Sequence, residues 1–143
     1  MSTRFDIIDA DWQLHADALG RIRRAVFIEE QQVPEELEWD EHDANSFHVL
    51  ALATNGEPMG TGRLKNDGQI GRMAVSQAWR GQGIGSAILQ RLVAQARTLG
   101  MRRVYLHAQT SAIDFYRRFG FGCEGDVYLE AGIPHQNMTL DLD

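Results

Sequence analysis

A glycine-rich turn between an apolar stretch and a long amphipathic segment most constrains what this chain can fold into. The segment is "GRMAVSQAWRGQGIGSAILQRLVAQA", residues 71–96. The turn holds three closely spaced glycines: Gly81, Gly83 and Gly85. Apolar residues at helical spacing follow: Ile84, Ile88, Leu92, Ala96 and Leu99. Because a strand-like stretch, "RRVYLHA", comes next, the order strand, helix, strand predicts one βαβ unit and a sheet that is partly parallel.

The rest of the chain alternates strand-like and helix-like stretches. "RFDIID" predicts a strand, and apolar spacing predicts a helix from about Gln13 to Glu30. "SFHVLALAT" and "MGTGRLK" are strand-like and flank the turn-like "NGEP". "SAIDFYRRF" predicts a short helix, and two final strands, "FGCEGDVYLE" and "HQNMTLDL", flank "AGIP". The predicted order is β-α-β-β-β-α-β-α-β-β, a mixed α/β fold.

Length and apolar content indicate one domain spanning residues 1–143. The chain has 143 residues, of which 43% are apolar, so it can bury most of the surface that it would expose when unfolded. The longest apolar run, "VLALA" at residues 49–53, is too short to cross a bilayer, and charges break up the first residues. We therefore expect a cytoplasmic protein with no membrane partner. Cys123 is the only cysteine, and we expect it to pack in the core.

Charge is divided unevenly along the chain. The formal net charge is −6, which argues against a nucleic-acid partner, because phosphate binding needs a dense basic surface. Residues 25–62 contain nine acids and no Lys or Arg, whereas residues 68–113 contain six arginines and no acid. Two interpretations remain open: a segregated surface charge, or a division between an anion-binding side and a side for a cationic ligand.

The glycine turn fits neither of two common nucleotide-binding patterns. The dinucleotide pattern G-x-G-x-x-G fails, because Ser86 and Ile88 stand where the last glycine is needed. The P-loop pattern fails because no lysine follows Lys65. Free amides ahead of a helix still favour an anion. A turn that serves only to reverse the chain is the alternative.

Two motifs nevertheless resemble one family. "RGQGIG" (residues 80–85) matches the pattern Gln/Arg-x-x-Gly-x-Gly/Ala, the acetyl-CoA pyrophosphate loop of the GNAT superfamily of N-acetyltransferases. "QTSAIDFYRRFGF" (residues 109–121) is similar to that family's Asn-x-x-Ala-x-x-Phe-Tyr-x-x-x-Gly-Phe segment, with Gln109 where Asn is usual. "VFIEEQQVPEELEWDEHD" and "AGIPHQNM" look like a subgroup of small bacterial acetyltransferases. The resemblance implies a GNAT-type fold: a largely antiparallel sheet with a central βαβ unit and helices on both faces.

The resemblance also implies acetyl-CoA as cosubstrate and a site for it. The strand before the loop would splay from its neighbour and offer backbone groups to pantetheine, and the loop amides would hold the pyrophosphate. The cofactor-binding residues that it implies are Met73, Ala74, Val75, Arg80, Gly81, Gln82, Gly83, Ile84, Gly85, Ser86, Gln109 and Phe115.

Tyr116 is the candidate general acid, and Glu30 is the candidate general base. Tyr116 lies where the family keeps its general acid, and a phenol is a suitable proton donor to a thiolate; a core tyrosine is the alternative. Glu30 is the preferred base, with Glu38 and Asp40 behind it. Glu30 closes a predicted helix, where negative charge opposes the helix dipole, so its placement needs another reason.

Two of the histidines are also candidate site residues. His107 and His135 are candidates to line the acceptor site or relay a proton, and we expect His48 to be packed. Nothing in the sequence has the spacing of a metal site, so no metal is predicted. The function that follows is transfer of an acetyl group to a small-molecule, polyamine or peptide amine in a ternary complex. A non-catalytic acyl-CoA sensor or interaction module is the alternative, and a homodimer is a state that the resemblance allows.

Overall fold

The computed structural model describes residues 4–142, and seven strands and four α-helices lie in that range. The strands are β1 (Phe5–Ala10), β2 (Phe47–Ala53), β3 (Pro58–Leu64), β4 (Ile70–Val75), β5 (Arg103–Gln109), β6 (Gly122–Glu130) and β7 (Ile133–Asp141). The helices are α1 (Trp12–Arg23), α2 (Glu35–Glu38), α3 (Ile84–Thr98) and α4 (Ile113–Arg117). None of the helices within residues 4–142 is long and apolar enough to cross a membrane. The order agrees with the predicted one except for the added α2; residues 1–3 and 143 of the predicted domain lie outside the described range.

The strands form two antiparallel sheets that meet at β4 and β5. The first sheet has the order β1-β2-β3-β4 and the second the order β5-β7-β6. In the described part of the chain, β4 and β5 are joined by one parallel bridge, between Gln69 and Tyr105. Beyond it they belong to separate sheets, and α3 connects them. The mixed α/β fold, its largely antiparallel sheets and its central βαβ unit are therefore confirmed.

Two glycines in β3 allow α3 to pack directly against the first sheet. A Cβ atom at Gly62 would lie 2.6 Å from Ile88 Cγ2 and 2.8 Å from Leu92 Cδ1. A Cβ atom at Gly60 would lie 2.9 Å from the carbonyl oxygen of Ala74. Ile88 and Leu92 are fully buried and belong to the main core. Larger residues at either position would push the helix off the sheet.

Helix α1 lies on the opposite face of the first sheet. Ile22 of α1 packs with Val26 and with Ala74 of β4 in a second, smaller apolar cluster. On β3, Thr61 and Arg63 alternate with Gly60 and Gly62, so they face this side of the sheet. The predicted arrangement of helices on both faces is therefore confirmed.

The helix that contains α1 changes its winding before it ends. From Arg24 to Glu30 the backbone forms a π-helix, in which the amide of Gln31 donates to the carbonyl oxygen of Val26 at 3.0 Å. The sequence predicted one regular helix from Gln13 to Glu30. Because the wider turn depends on where the helix end is anchored, apolar spacing alone did not predict it.

Strand β6 differs from the other strands because most of its residues are exposed. It pairs with β7 on one side and forms the edge of the second sheet. Cys123 lies on this strand and is exposed. The prediction that Cys123 packs in the core is therefore wrong: it lies on an exposed edge strand, and its Sγ is 3.6 Å from the Arg117 guanidinium.

Candidate active site

A cleft of about 450 Å³ opens where β4 and β5 diverge. Residues of β4, of the end of β3 and of the segment 31–40 line one wall. Residues of β5, of α4 and of the turn between β6 and β7 line the other. An unpaired strand edge carries free N–H and C=O groups, so the cleft edge of β4 is open to a ligand that bonds as a strand does. The expected splaying of the strand before the glycine turn is confirmed.

A β-bulge interrupts β4 at Arg72. Thr61 pairs with Ala74 and Arg63 pairs with Gly71, so β4 advances three residues while β3 advances two. Arg72 has φ +49°, an uncommon conformation for a residue other than glycine. Because a bulge redirects side chains, the Arg72 guanidinium reaches the backbone at the end of α2. "IGRMAV" has the pattern of a regular strand, so the bulge was not predictable from the sequence.

The glycine turn leads into an uncapped helix N-terminus. Gly81 and Gly83 have φ +80° and +84°, and Cβ atoms at these positions would meet nothing within 4 Å. Gly83 is the N-cap of α3; no side chain caps the helix and its first turn contains no acid. The first N–H groups of a helix have no partner within it, and here they belong to Gly83, Ile84, Gly85 and Ser86. The turn therefore has the geometry of an anion-binding site.

Gln82 supplies a further unpaired polar group in this turn. Its side-chain Oε1 is buried and has no hydrogen-bond partner among the described residues. An unpaired buried acceptor costs stability unless a ligand or water satisfies it. The turn therefore contains uncapped helix amides and one buried acceptor without a partner among the described residues.

Arg80 and Glu30 bind each other. The two guanidinium Nη atoms of Arg80 donate to the two carboxylate oxygens of Glu30, each at 2.7 Å. Arg80 Nε donates to the carbonyl oxygen of Val75 at 2.9 Å. These hydrogen bonds and the Arg80 charge lower the pKa of Glu30. The ion pair supplies the reason, absent from the sequence, for an acid at the end of this helix.

Tyr116 lies on the cleft wall that α4 contributes. Its hydroxyl is 3.9 Å from Met73 Sδ across the cleft, and burial raises the pKa of Tyr116 to about 12. The neighbouring Phe115 ring packs edge-on against it, with 5.1 Å between centroids. A Cβ at Gly85 would lie 3.7 Å from Phe115 and 3.8 Å from Val75 Cγ2. Phe115, the neighbour of the predicted acid, therefore lies beside the glycine turn.

Three predicted site residues lie in surroundings that the sequence did not indicate. The side chains of Ala74 and Ile84 are buried in the two apolar clusters, so only their backbone groups are available to a ligand. Gln109, at the end of β5, donates from Nε2 to Gln31 Oε1 at 2.9 Å. This bond ties the end of the π-helix to the second sheet, across the cleft.

A buried arginine binds the segment 31–40, which lines one wall of the cleft. Arg23 is fully buried and its guanidinium lies between the rings of Trp12 and Trp39, 5.6 and 5.0 Å from their centroids. Arg23 Nε donates to Glu38 Oε2 at 2.6 Å, and Nη1 donates to Asp43 Oδ1 at 2.7 Å. A buried guanidinium needs such partners, since an unpaired buried charge is very costly.

Two more arginines extend this group. Arg63 Nη1 donates to Asp43 Oδ1 at 2.9 Å and to Asp40 Oδ1 at 2.8 Å. Arg72 lies 3.2 Å from Asp40 Oδ2 and 3.3 Å from Glu38 Oε2. We call Arg23, Glu38, Asp40, Asp43, Arg63 and Arg72 the arginine–carboxylate cluster. Its three arginines were not predicted as a group, because each stands among apolar residues and glycines and belongs to no motif.

The carboxylates of the cluster shift in different directions. Burial would raise the pKa of Asp43, but hydrogen bonds from Arg23 and Arg63 outweigh it and the net shift is downward. Asp40 shows the same balance, with Arg63 as the main partner, and its pKa is lowered. For Glu38, burial outweighs the charges of Arg72 and Arg23 and raises the pKa. Glu38 and Asp40, the secondary base candidates, are therefore both held by guanidinium groups.

The two predicted histidines meet on the other wall. His107 Nδ1 is 3.0 Å from Glu130 Oε1, and His135 Nε2 is 3.7 Å from Glu130 Oε2. All three residues line the cleft. His48, by contrast, is buried, with Nε2 2.7 Å from the carbonyl oxygen of Asp43. Within residues 4–142 no group of three His, Cys, Asp or Glu side chains has the geometry to hold a metal ion.

The sequence and the fold match known proteins over most of their length. Residues 13–142 match the model of the acetyltransferase (GNAT) domain. The chain is 36% identical over 125 residues to the N-acetyltransferase YjcF of Bacillus subtilis, covering 84% of this chain and 88% of that protein.

Solved structures agree. Escherichia coli ElaA superposes with a TM-score of 0.84 at 30% identity, covering 95% of this chain and 99% of ElaA. An acyl-CoA N-acyltransferase from Pseudomonas aeruginosa superposes with a TM-score of 0.80 at 33% identity, covering 96% and 99%. This acyltransferase fold implies an acyl-CoA cosubstrate. The chain therefore belongs to the GNAT superfamily of N-acetyltransferases.

Proposed function

We propose that this enzyme transfers the acetyl group of acetyl-CoA to a primary amine by direct attack in a ternary complex. One observation carries the proposal: the Tyr116 phenol faces Met73 in the cleft, while the ring of its neighbour Phe115 lies beside the glycine turn, where a Cβ at Gly85 would be 3.7 Å from it. A donor held at the turn and along β4 would place its thioester near the phenol. The amine would then enter from the rest of the cleft.

The donor side has groups that suit acyl-CoA. The free amides of Gly83, Gly85 and Ser86 and the positive end of the α3 dipole would bind the pyrophosphate. The free edge of β4 at Met73 would bond to the pantetheine amides. The amide of Val75, at the end of β4, would stabilise the oxyanion that develops at the thioester carbonyl.

Tyr116 would act as the proton donor to the leaving thiolate. A pKa of about 12 keeps the phenol protonated across the neutral range. In the cleft, a neutral hydroxyl can donate a hydrogen bond to sulfur as the negative charge develops there. Its loss would therefore slow the transfer step more than donor binding.

Glu30 has a different role in this proposal from the one that the sequence indicated. Its lowered pKa and its two bonds to Arg80 make it a weak proton acceptor. We assign it to holding Arg80 beside the carbonyl end of β4 and the glycine turn. A basic role for Glu30 stays an untested prediction.

The test measures release of CoA thiol from acetyl-CoA with putrescine, spermidine, tyramine and a lysine-containing tripeptide as acceptors. We expect at least one amine to stimulate release and Tyr116→Phe to lower kcat by about 100-fold. Donor affinity should be unchanged. Tyr105→Phe is the matched control, because the Tyr105 hydroxyl is bonded to Asp67 at 2.6 Å instead of facing the cleft.

The same assay distinguishes the alternative function. Acetyl-CoA that binds without any amine-stimulated release would favour a non-catalytic acyl-CoA sensor. Full activity of Tyr116→Phe would remove the acid role but leave the transfer reaction in place.

A further inference from the structure

We propose that His107, positioned by Glu130, accepts the proton of the acceptor ammonium ion; this rests on the proposed transfer to an amine. Most primary amines are protonated at neutral pH, and an ammonium ion has no lone pair with which to attack a thioester. A base on the acceptor side of the cleft is therefore needed.

The hydrogen bond to Glu130 fixes the tautomer of His107. A carboxylate only accepts hydrogen bonds, so His107 Nδ1, 3.0 Å from Glu130 Oε1, carries the hydrogen. In the neutral ring the lone pair is then on Nε2. His107 is partly exposed and lines the cleft, so this lone pair is within reach of a bound amine.

The second histidine has the same tautomer but no hydrogen bond to the carboxylate. His135 Nδ1 lies 2.6 Å from the carbonyl oxygen of Ile133, so it carries the hydrogen. Its Nε2, an acceptor in the neutral ring, is 3.7 Å from Glu130 Oε2. The Tyr128 ring packs edge-on against His107 and parallel to His135, at 6.0 and 6.1 Å. Of the two rings, Glu130 is therefore hydrogen-bonded to His107, and its carboxylate would stabilise the positive charge that His107 gains on taking a proton.

The remaining carboxylates near the cleft are engaged elsewhere. Glu38 and Asp40 bind guanidinium groups of the arginine–carboxylate cluster, and Glu30 binds Arg80. The titratable and charged residues that line the cleft with His107 are Tyr116, Glu130 and His135 on its own wall and Glu38, Asp40, Arg63, Lys65 and Arg72 on the opposite wall. The rings of Tyr105 and Tyr128 lie 6.3 and 6.0 Å from the His107 ring. Of the carboxylates that line the cleft within residues 4–142, Glu130 is the one hydrogen-bonded to His107.

The proton balance is complete. His107 Nε2 takes one proton from the ammonium ion, and the freed nitrogen lone pair attacks the thioester carbon. A C–N bond forms and the C–S bond breaks, with its electron pair leaving on sulfur. Tyr116 gives the thiolate a proton and regains one from the acylated nitrogen. The products are the amide, the free thiol and His107 imidazolium, which returns its proton to solvent.

The kinetic test uses acetyl-CoA with the most active amine of the panel. We expect His107→Gln to lower kcat/KM by about 100-fold, whereas His42→Gln, at an exposed histidine outside the cleft, should match the wild type. If His107→Gln releases CoA thiol as fast as the wild type, the role of His107 is wrong, whereas the proposed function is unaffected. Absence of amine-stimulated release in the wild type would overturn the proposed function and this proposal with it.

Glu130 is tested as a positioning residue. We expect Glu130→Gln to lower kcat/KM about tenfold at neutral pH, because the positive charge that His107 gains in the transfer step loses its counter-charge. Glu124→Gln, an exposed acid on the same strand, is the control. A kcat/KM of Glu130→Gln equal to that of Glu124→Gln would contradict the role.

NMR provides a readout that needs no acceptor. Long-range ¹H–¹⁵N correlation spectra of the imidazole rings report the tautomer directly. We expect His107 in the Nδ1–H form in the wild type. A His107 ring in the Nε2–H form would overturn the proposal, and the same spectra show whether each variant is folded.

Discussion

The glycine turn at residues 81–86 and the acidic segment at residues 29–43 differ in whether their polar groups have partners. The turn leaves helix amides uncapped and one side-chain oxygen unpaired. In the acidic segment, five carboxylates bind arginines: Glu30, Glu35, Glu38, Asp40 and Asp43. Both regions looked like ligand sites from charge and composition. The unsatisfied groups distinguish the turn as the better one.

This difference changes the meaning of the uneven charge along the sequence. Arg72 and Arg80 come from the basic stretch, yet their guanidinium groups bind Asp40 and Glu30 of the acidic stretch. At these positions the two stretches neutralise each other instead of forming two ligand-binding surfaces. A run of acids in a sequence does not show whether its charges are free, because the partners lie far away in the chain.

The largest effect that would test this comparison is expected inside the arginine–carboxylate cluster. Asp43→Asn removes the charge shared by Arg23 and Arg63, and we expect it to lower the free energy of unfolding by about 3 kcal/mol. Urea denaturation followed by tryptophan fluorescence measures it. Asp114→Asn, at a fully exposed acid, is the control. A loss no larger than the control's would show that the acidic segment does not depend on its ion pairs.

Glu38→Gln should lower the free energy of unfolding by less, about 1 kcal/mol. Burial outweighs the charges of Arg72 and Arg23 and raises the pKa of Glu38 in the folded protein, so ionising this carboxyl is harder there than in the unfolded chain, and a neutral amide avoids that cost. Asp43 has a lowered pKa; its contribution is present above the ordinary aspartate pKa and is lost as the pH falls through the lower folded value. The difference between the wild type and Asp43→Asn should therefore shrink in acid.

The next effect is expected at the turn, with opposite signs for stability and binding. Ser86→Glu places a negative charge in the first turn of α3, which should stabilise the helix by about 0.3–1 kcal/mol. The same charge would repel the pyrophosphate and weaken CoA binding at least about tenfold, or about 1.4 kcal/mol. Calorimetric titration with CoA measures the affinity. Gln90→Glu, on the exposed face of the same helix, is the matched control, and unchanged CoA affinity in Ser86→Glu would contradict the anion site.

The smallest effect is expected where the two regions touch. Glu30 and Arg80 are each more than a third exposed, so Glu30→Gln should lower the free energy of unfolding by less than about 1 kcal/mol. We expect a few-fold rise in the KM of acetyl-CoA and an unchanged pH profile. Asp9→Asn, which breaks an exposed Arg91 pair of similar geometry, is the control. A large fall in kcat with a changed acid limb would restore Glu30 as the base.

The elements that depend on local pattern were predictable. The strand order, the βαβ unit and the apolar stripe of α3 follow from residue spacing, which local backbone geometry imposes. The bulge at Arg72 and the π-helix from Arg24 to Glu30 were not predictable. Both adjust the chain to distant contacts, such as the bond between Gln31 and Gln109, and these contacts leave no local signal.

Contacts between distant residues also limit how much of the proposed active site could be predicted. Tyr116 and the glycine turn could be predicted as site elements because each belongs to a contiguous motif. Glu130 was missed because nothing near it in sequence marks an acid that will lie between two histidines from other strands.

By itself, the sequence determined the fold class, the family and the place of the glycine turn, since each depends on residues that are close together in the chain. Only the tertiary structure decided which charges are free. Ion pairs join residues up to 82 positions apart, as between Asp9 and Arg91, and whether a carboxylate meets a guanidinium or a ligand depends on how the sheets and helices bring those residues together.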